Sequence, residues 1–259
     1  MHSIDQYAYH SKLRNWNPVV KCIYSVFCII LCIALKNIPV SLAVFAGNTI
    51  LITVIGKSPM RGYLKSLRIP ATFLLLSTAA ILFHISENPM DGFAIPIGSF
   101  YITNTRDQLF YGLQLLTTAI ASVTGLYALS FTTPMTDVLM ALRKMHCPDL
   151  LVELMLLIYR FIFLLQETAH QIQISQQSRL SNQTLRTQFK SFGLLGSSLF
   201  ILAMKRSFAI YDAMESRCFQ GTLNVLEESI PLRVQQTAMF AGLGMFYVLT
   251  GLAVIYLGI

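Results

Sequence analysis

Two arginines stand out by what precedes them. Arg179 lies in the run Gln176-Gln177-Ser178-Arg179-Leu180, and Arg217 in Met214-Glu215-Ser216-Arg217-Cys218. Each follows a serine at the end of a long amphipathic pattern between residues 132 and 221. A guanidinium is a planar, permanently charged fork that matches the geometry of a carboxylate. At the exposed end of a helix it is suited to meeting a carboxylate of another protein. Two such forks on separate helices could meet the two halves of a dimeric partner.

The other residues with chemical potential lack the company that chemistry needs. Gly56-Lys57-Ser58 has the ending of a phosphate-binding loop, but the glycine required five residues before Gly56 is Leu51, inside an apolar segment. Glu167 and His170 share a helix face, yet two ligands are too few for a metal. His2 has no partner nearby in sequence. Cys22, Cys28, Cys32, Cys147 and Cys218 match neither zinc-site nor redox spacing and read as small hydrophobes. There is no His-Glu-x-x-His, no Gly-x-Ser-x-Gly and no His or carboxylate pair within a span, so the chain reads as non-catalytic.

The elements that must position the two arginines follow from hydropathy. The chain has 259 residues, 54% of them hydrophobic and 12% charged, about half the charge of an ordinary soluble domain. It reads as an all-α integral membrane protein, a bundle of about five transmembrane helices with three amphipathic cytoplasmic coupling helices. The net charge of +7 invites nucleic acid as a partner. The basic residues flank apolar runs instead, as positive cytoplasmic loops do.

Residues 1–131 form a membrane domain of four spans: Cys22–Leu35, Val40–Gly56, Pro70–Ser86 and Leu109–Phe131. Lys21 and Lys36 extend the short first span by snorkelling. No small-x-small cleavage site follows Leu35, so this span is expected to stay in the mature protein. Lys57, Arg61, Lys65 and Arg68, with no acid among them, mark a cytoplasmic loop and put the amino terminus on the same side. The loop 87–108, with Glu87 and Asp91, lies outside.

Residues 132–221 form the coupling region. Thr133 caps its first helix, with Pro134 at the first position, and a break follows at His146-Cys147. A second helix runs from Pro148-Asp149 toward Leu180. Its charges Glu153, Arg160 and Glu167 recur every seven residues along one stripe, opposite Leu150, Leu154, Leu157, Phe161 and Leu164. Charges at a bilayer centre are costly, so this helix belongs at the boundary.

A third helix covers about Leu185 to Phe219. Its charge-free part, Ser191–Met204, contains Gly193, Gly196, Ser197 and Ser198, and a charged helix continues it. As a span it would put Arg217 opposite Arg179; as a boundary helix it keeps both on one side, which is preferred. Residues 222–259 are a linker with Glu227, Glu228, Pro231 and Arg233, then a final span Thr237–Ile259. There Ala238 and Gly242 have the spacing for close helix approach.

The sequence resembles the transmembrane T component of energy-coupling-factor transporters, in the cobalt/nickel branch often called CbiQ, over essentially the whole chain. The resemblance is carried by Ile4-Asp5…Ala8…Ser11…Pro18…Lys21, and by Phe131-Thr132-Thr133-Pro134…Leu139…Leu142…Pro148…Leu151-Val152-Glu153-Leu154…Tyr159-Arg160. It is carried also by two motifs similar to the family's Ala-Arg-Gly signatures, Ser178-Arg179-Leu180 and Ser216-Arg217-Cys218. Both arginines are kept, while alanine has become serine twice and glycine has become Leu180 and Cys218.

The resemblance implies a multi-pass scaffold in a bacterial or archaeal inner membrane. It would join two cytoplasmic ATPase subunits to a membrane substrate-binding subunit of a cobalt or nickel importer. The motif arginines would dock into the ATPases. The partners would hydrolyse the ATP and bind the metal, so this chain would hold no cofactor itself. A self-contained secondary transporter is the alternative, although the interiors of the four amino-terminal spans carry no charge to serve as an ion path. A vitamin-type T component is a further alternative.

Overall fold

The computed structural model describes residues 3–82, 84–86, 93–97, 100–104, 106–181, 183–219 and 234–257. The linker residues Glu227, Glu228, Pro231 and Arg233, the loop acids Glu87 and Asp91, and Met1-His2 lie outside them. Two compact units are present. One holds the bundle helices of the amino-terminal half and the last helix; the other begins at Leu142 and holds the two longest helices.

In the bundle unit, α1 (Ser3–His10) and a 3-10 turn (Lys12–Asn15) lead into α2 (Pro18–Leu35). Asn17 caps α2, its Oδ1 accepting from the Val19 amide at 3.0 Å, with Pro18 in the first turn. The helix ends where Lys36 turns left-handed, φ 45°. Then come α3 (Ile38–Ile50), extended by a π turn Leu51–Ile55, and α4 (Met60–Leu82). A small antiparallel sheet, β1 (His84–Ser86), β2 (Phe93–Ile97) and β3 (Phe100–Asn104), has order β1-β3-β2 and pairs His84 with Thr103 and Phe93 with Asn104. It replaces part of the expected outer loop and takes His84 out of the third span. The bundle is completed by α5 (Arg106–Thr132) and α9 (Val234–Leu257).

The third span begins ten residues before the expected Pro70, because α4 runs straight through that proline. Proline cannot donate to the carbonyl four residues back. Here that carbonyl, on Ser66, accepts from the Tyr127 hydroxyl of α5 at 3.0 Å. The missing bond is supplied from a neighbouring helix, so the orphan acceptor is satisfied.

Helix α5 is the hub, packed against α1, α2, α3 and α4, while α9 lies on α2 and α3. Phe131 is fully buried, stacked on Tyr7 at 5.8 Å and met edge-on by Tyr63 and Tyr127. Deeper in the bundle Tyr24 donates to Asn48 Oδ1 at 2.8 Å and lies 3.3 Å from the Tyr247 hydroxyl. A Cβ on Gly47 would overlap that hydroxyl, so glycine is what lets α9 approach α3. Gly251 is likewise pressed on Leu35, whereas a Cβ on Gly242 would meet nothing. Close approach therefore runs through Gly47 and Gly251 rather than the expected Ala238/Gly242 pair.

Lys21 does not snorkel. It is buried, and its Nζ donates to the Thr132 carbonyl at the carboxyl end of α5, 3.1 Å away. A cation there also favours the negative end of the helix dipole. The outside of the bundle is apolar: Ile69, Phe73 and Leu76 of α4 are each at least 70% exposed. A surface that oily is stable only where the surrounding solvent is hydrocarbon.

Among the described residues six helices are long and apolar enough to cross a membrane, by length and composition: α2, α3 with its π turn, α4, α5, α9 and, in the other unit, α8 (Leu185–Glu215). The first five are the expected spans. The chain is an all-α, multi-pass integral membrane protein, with the three-stranded sheet as a local addition.

Candidate coupling site

The second unit is built on α7 (Asp149–Ser178) and α8, entered through α6 (Met135–Lys144). Thr133 does not cap α6: its amide still bonds to Leu129 of α5, and the first α6 amides, of Asp137 and Val138, bond to the Pro134 carbonyl. Pro134 therefore holds the cap position, one residue later than expected. The elbow between α6 and α7 is tied by an ion pair from Arg143 Nε to Asp149 Oδ1, 2.8 Å.

Along α7 the heptad charges separate: Glu153 is buried, while Arg160 and Glu167 are exposed. Leu150 and Leu154 are exposed as well, so the helix presents apolar residues outward. That differs from a helix folded to hide its apolar stripe in its own core.

The two arginine motifs adopt the same backbone. In α7 the Leu180 amide bonds to the Gln177 carbonyl at 2.9 Å, and the Ser181 amide to Gln176 at 3.2 Å. At the end of α8 the Cys218 amide bonds to Glu215 at 2.9 Å, and the Phe219 amide to Met214 at 3.1 Å. These paired 5→2 and 6→1 bonds are Schellman caps. They fall at equal offsets from the arginines, although the assigned end of α8 comes one residue earlier than that of α7.

In both caps the serine ends the helical run and returns its hydroxyl to the preceding turn, Ser178 to Ile174 and Ser216 to Ala213, each at 3.0 Å. The arginine takes the next position, and the third residue turns left-handed: Leu180 at φ 60° and Cys218 at φ 58°. That conformation explains a glycine at the third position of the signature it resembles, since glycine enters it without steric cost. The substitutions therefore retain the turn at an energetic cost. All six motif residues are exposed.

Helix α6 ends the same way, with His146 at φ 65° and the Cys147 amide on Leu142, but it offers Met145 where the other two offer arginine. The cap is thus a general stop for these helices, and the arginines are what distinguish two of them.

Placement of the two arginines is set by α8. Arg179 lies just before its start and Arg217 just after its end, and a helix of 31 residues is about 46 Å long. The start is held by a capping box in which Thr184 and Thr187 satisfy each other's amides. Gln176 Nε2 also donates to the Ser191 carbonyl at 3.0 Å, fastening the end of α7 to the first turns of α8. Arg179 and Leu180 line a cleft of about 570 Å³ with Gln171, Gln176, Ser191 and Leu194. Sequence reasoning missed the Gln176 tie. It also left unread the Thr-x-x-Thr signal that fixes where α8 begins.

An oily helical bundle joined in one chain to a long helical unit with two matched cationic caps defines a multi-pass membrane protein that presents two exposed arginines. The family model described as cobalt transport protein, CbiQ, matches residues 10–227. The chain belongs to that family, as the motif resemblance implied.

Among its relatives is an uncharacterised protein, MJ1089, of Methanocaldococcus jannaschii, 32% identical over 86% of this chain and 83% of the relative. The cobalt transport protein CbiQ of Rhodobacter capsulatus is 27% identical over 86% of this chain and 87% of its own length. The energy-coupling factor transporter transmembrane protein EcfT of Acidaminococcus fermentans is 26% identical over 83% of this chain and 82% of its own.

Proposed function

We propose that this chain is the non-catalytic transmembrane scaffold of an energy-coupling-factor importer for cobalt or nickel, and that Arg179 and Arg217 transmit the work of ATP hydrolysis. In this reading two cytoplasmic ATPase subunits each receive one arginine cap. A separate membrane subunit binds the metal, and the nucleotide and ion chemistry stays with those partners. The observation that carries it is the repeated cap. Two identical left-handed turns present an exposed arginine near either end of one stiff rod, itself about 46 Å long. That is a spacing for two grooves on neighbouring subunits rather than for one pocket.

A rod can transmit displacement only if both ends are gripped from one side. We therefore assign α8 to the cytoplasmic boundary, although by composition it qualifies as a span. Its charge-free stretch, Ser191–Met204, is about 21 Å long, short of the roughly 30 Å of hydrocarbon a bilayer presents. Closure of the ATPase pair on nucleotide would move the rod as one piece, and the exposed apolar faces of α7 and α8 would pass that motion to the substrate-binding subunit.

The test is co-purification and metal uptake with Arg179→Glu and Arg217→Glu. Each variant should lose one ATPase contact, and the pair should abolish ATP-dependent uptake while the chain stays in the membrane. Full uptake by the double variant would reject the assignment. Cysteine labelling at positions 179 and 217 that reached them from opposite faces of the bilayer would reject the boundary placement of α8.

A further inference from the structure

The coupling function leaves the corner where the 3-10 turn after α1, the π turn and the start of α4 meet unexplained. The Lys12 amide donates to the Gly56 carbonyl at 3.3 Å, and the Ser11 hydroxyl donates to the same oxygen at 3.2 Å. These bonds bring two lysines from distant parts of the chain side by side. The Lys57 ammonium stands against that of Lys12 and holds it below the usual lysine range. Lys57 is itself held in a left-handed turn, φ 52°. No carboxylate among the described residues pairs with either. Like charges gathered in this way repel unless a counter-charge sits between them.

Two further observations point to a ligand at the same corner. Ser58, next to Lys57, is 7% exposed, and its hydroxyl has no hydrogen-bond partner among the described residues. Buried hydroxyls are rarely left so. Helix α4, 23 residues long, begins two residues later at Met60. Its first helical bonds are those of Gly62 and Tyr63 to the Pro59 carbonyl, so the amides of Met60 and Arg61 have no intrahelical acceptor. Lysine ammoniums, a free hydroxyl and open helix amides are the donors that hold a phosphate group. The corner sits at the membrane boundary, where the second candidate span ends at Ile55, the third begins at Met60, and the first begins at Pro18.

We propose that Lys12, Lys57 and Ser58 form a binding site for one phosphate-bearing anion, supplied by an anionic lipid headgroup. The site would fasten the amino-terminal segment and the α3–α4 turn to one leaflet. It needs none of the coupling residues, so it stands or falls apart from them.

The experiment is native mass spectrometry of the purified full chain with added phosphatidylglycerol, phosphatidylcholine or inorganic phosphate. The wild-type chain should retain one phosphatidylglycerol in preference to phosphatidylcholine. K12Q/K57Q should weaken that adduct about thirtyfold, the product of two lysine contributions at an anionic surface. K65Q/R68Q removes equal charge from α4 and should weaken it no more than about threefold. K12R/K57R should retain it, which separates loss of the site from loss of the fold, and Ser58→Ala should weaken it without any change in charge. Displacement by millimolar inorganic phosphate would keep the anion site and assign it to a soluble phosphate. Equal losses in the two charge-removing variants, or undiminished binding by K12Q/K57Q, would overturn the proposal.

Discussion

Glycine at the third position of each arginine motif should stabilise the coupling helices. Leu180 and Cys218 sit at φ 60° and 58°, where an L-residue with a Cβ pays about 1–2 kcal/mol. Glycine escapes that cost but loses more chain entropy on folding, about 0.4–1 kcal/mol. The expected net gain is therefore about 0.5–1 kcal/mol per site. The sites are separated by the length of α8, so the gains should add.

The observable is local. In Leu180→Gly the amides at 180 and 181, bonded to Gln177 and Gln176, should exchange about two- to fivefold more slowly with deuterium. The amides at 218 and 219 should respond in the same way to Cys218→Gly. Leu180→Val, with a β-branched side chain at positive φ, should speed exchange at 180 and 181 instead. ATPase co-purification should survive both glycine variants, because the arginine keeps its place in the cap. Faster exchange in the glycine variants would refute the left-handed assignment and the account of why the signature favours glycine.

Inserting one alanine into the exposed middle of α8 should turn Arg217 by about 100° about the helix axis and abolish ATPase co-purification at that cap. Inserting seven restores the face within about 20° but lengthens the rod by about 10 Å. Recovery of uptake with seven would show that direction matters more than spacing. Lys21→Met should leave the Thr132 carbonyl without its charged donor and cost about 1.5–3 kcal/mol, read as a lower melting temperature in detergent. Tyr127→Phe should cost about 1 kcal/mol in the wild-type chain. It should cost less beside Pro70→Ala, where the restored amide can serve the Ser66 carbonyl; additive losses would show that the two groups do not share that acceptor.

Much of the membrane architecture was legible because a bilayer leaves a coarse, one-dimensional signature. Long runs without charge, such as Leu109–Phe131, give spans wherever backbone polarity must be satisfied internally, and the structure has helices there. The break at Lys36–Pro39 located the first connection to within a few residues, whereas Arg61, Lys65 and Arg68, read as a loop, lie in α4. The errors lie where a partner distant in sequence decides. Pro70 reads as a helix start until Tyr127 is seen supplying the missing bond. Lys21 reads as a snorkelling cation until α5 places a carbonyl terminus beside it. Ala238 and Gly242 have the spacing of a close contact, yet the contacts fall on Gly47 and Gly251, because helix rotation is set by neighbours and not by local spacing.

The arginine motifs divide in the same way. Residue type and placement pointed to Arg179 and Arg217, and the resemblance of the motifs around them pointed to the family the chain belongs to. Only the folded backbone made Leu180 and Cys218 left-handed, gave the two caps one geometry and set a 31-residue helix between them. A side chain's chemistry is carried by its own atoms. Its direction and separation from a second site depend on dihedral angles and packing that the rest of the chain must impose.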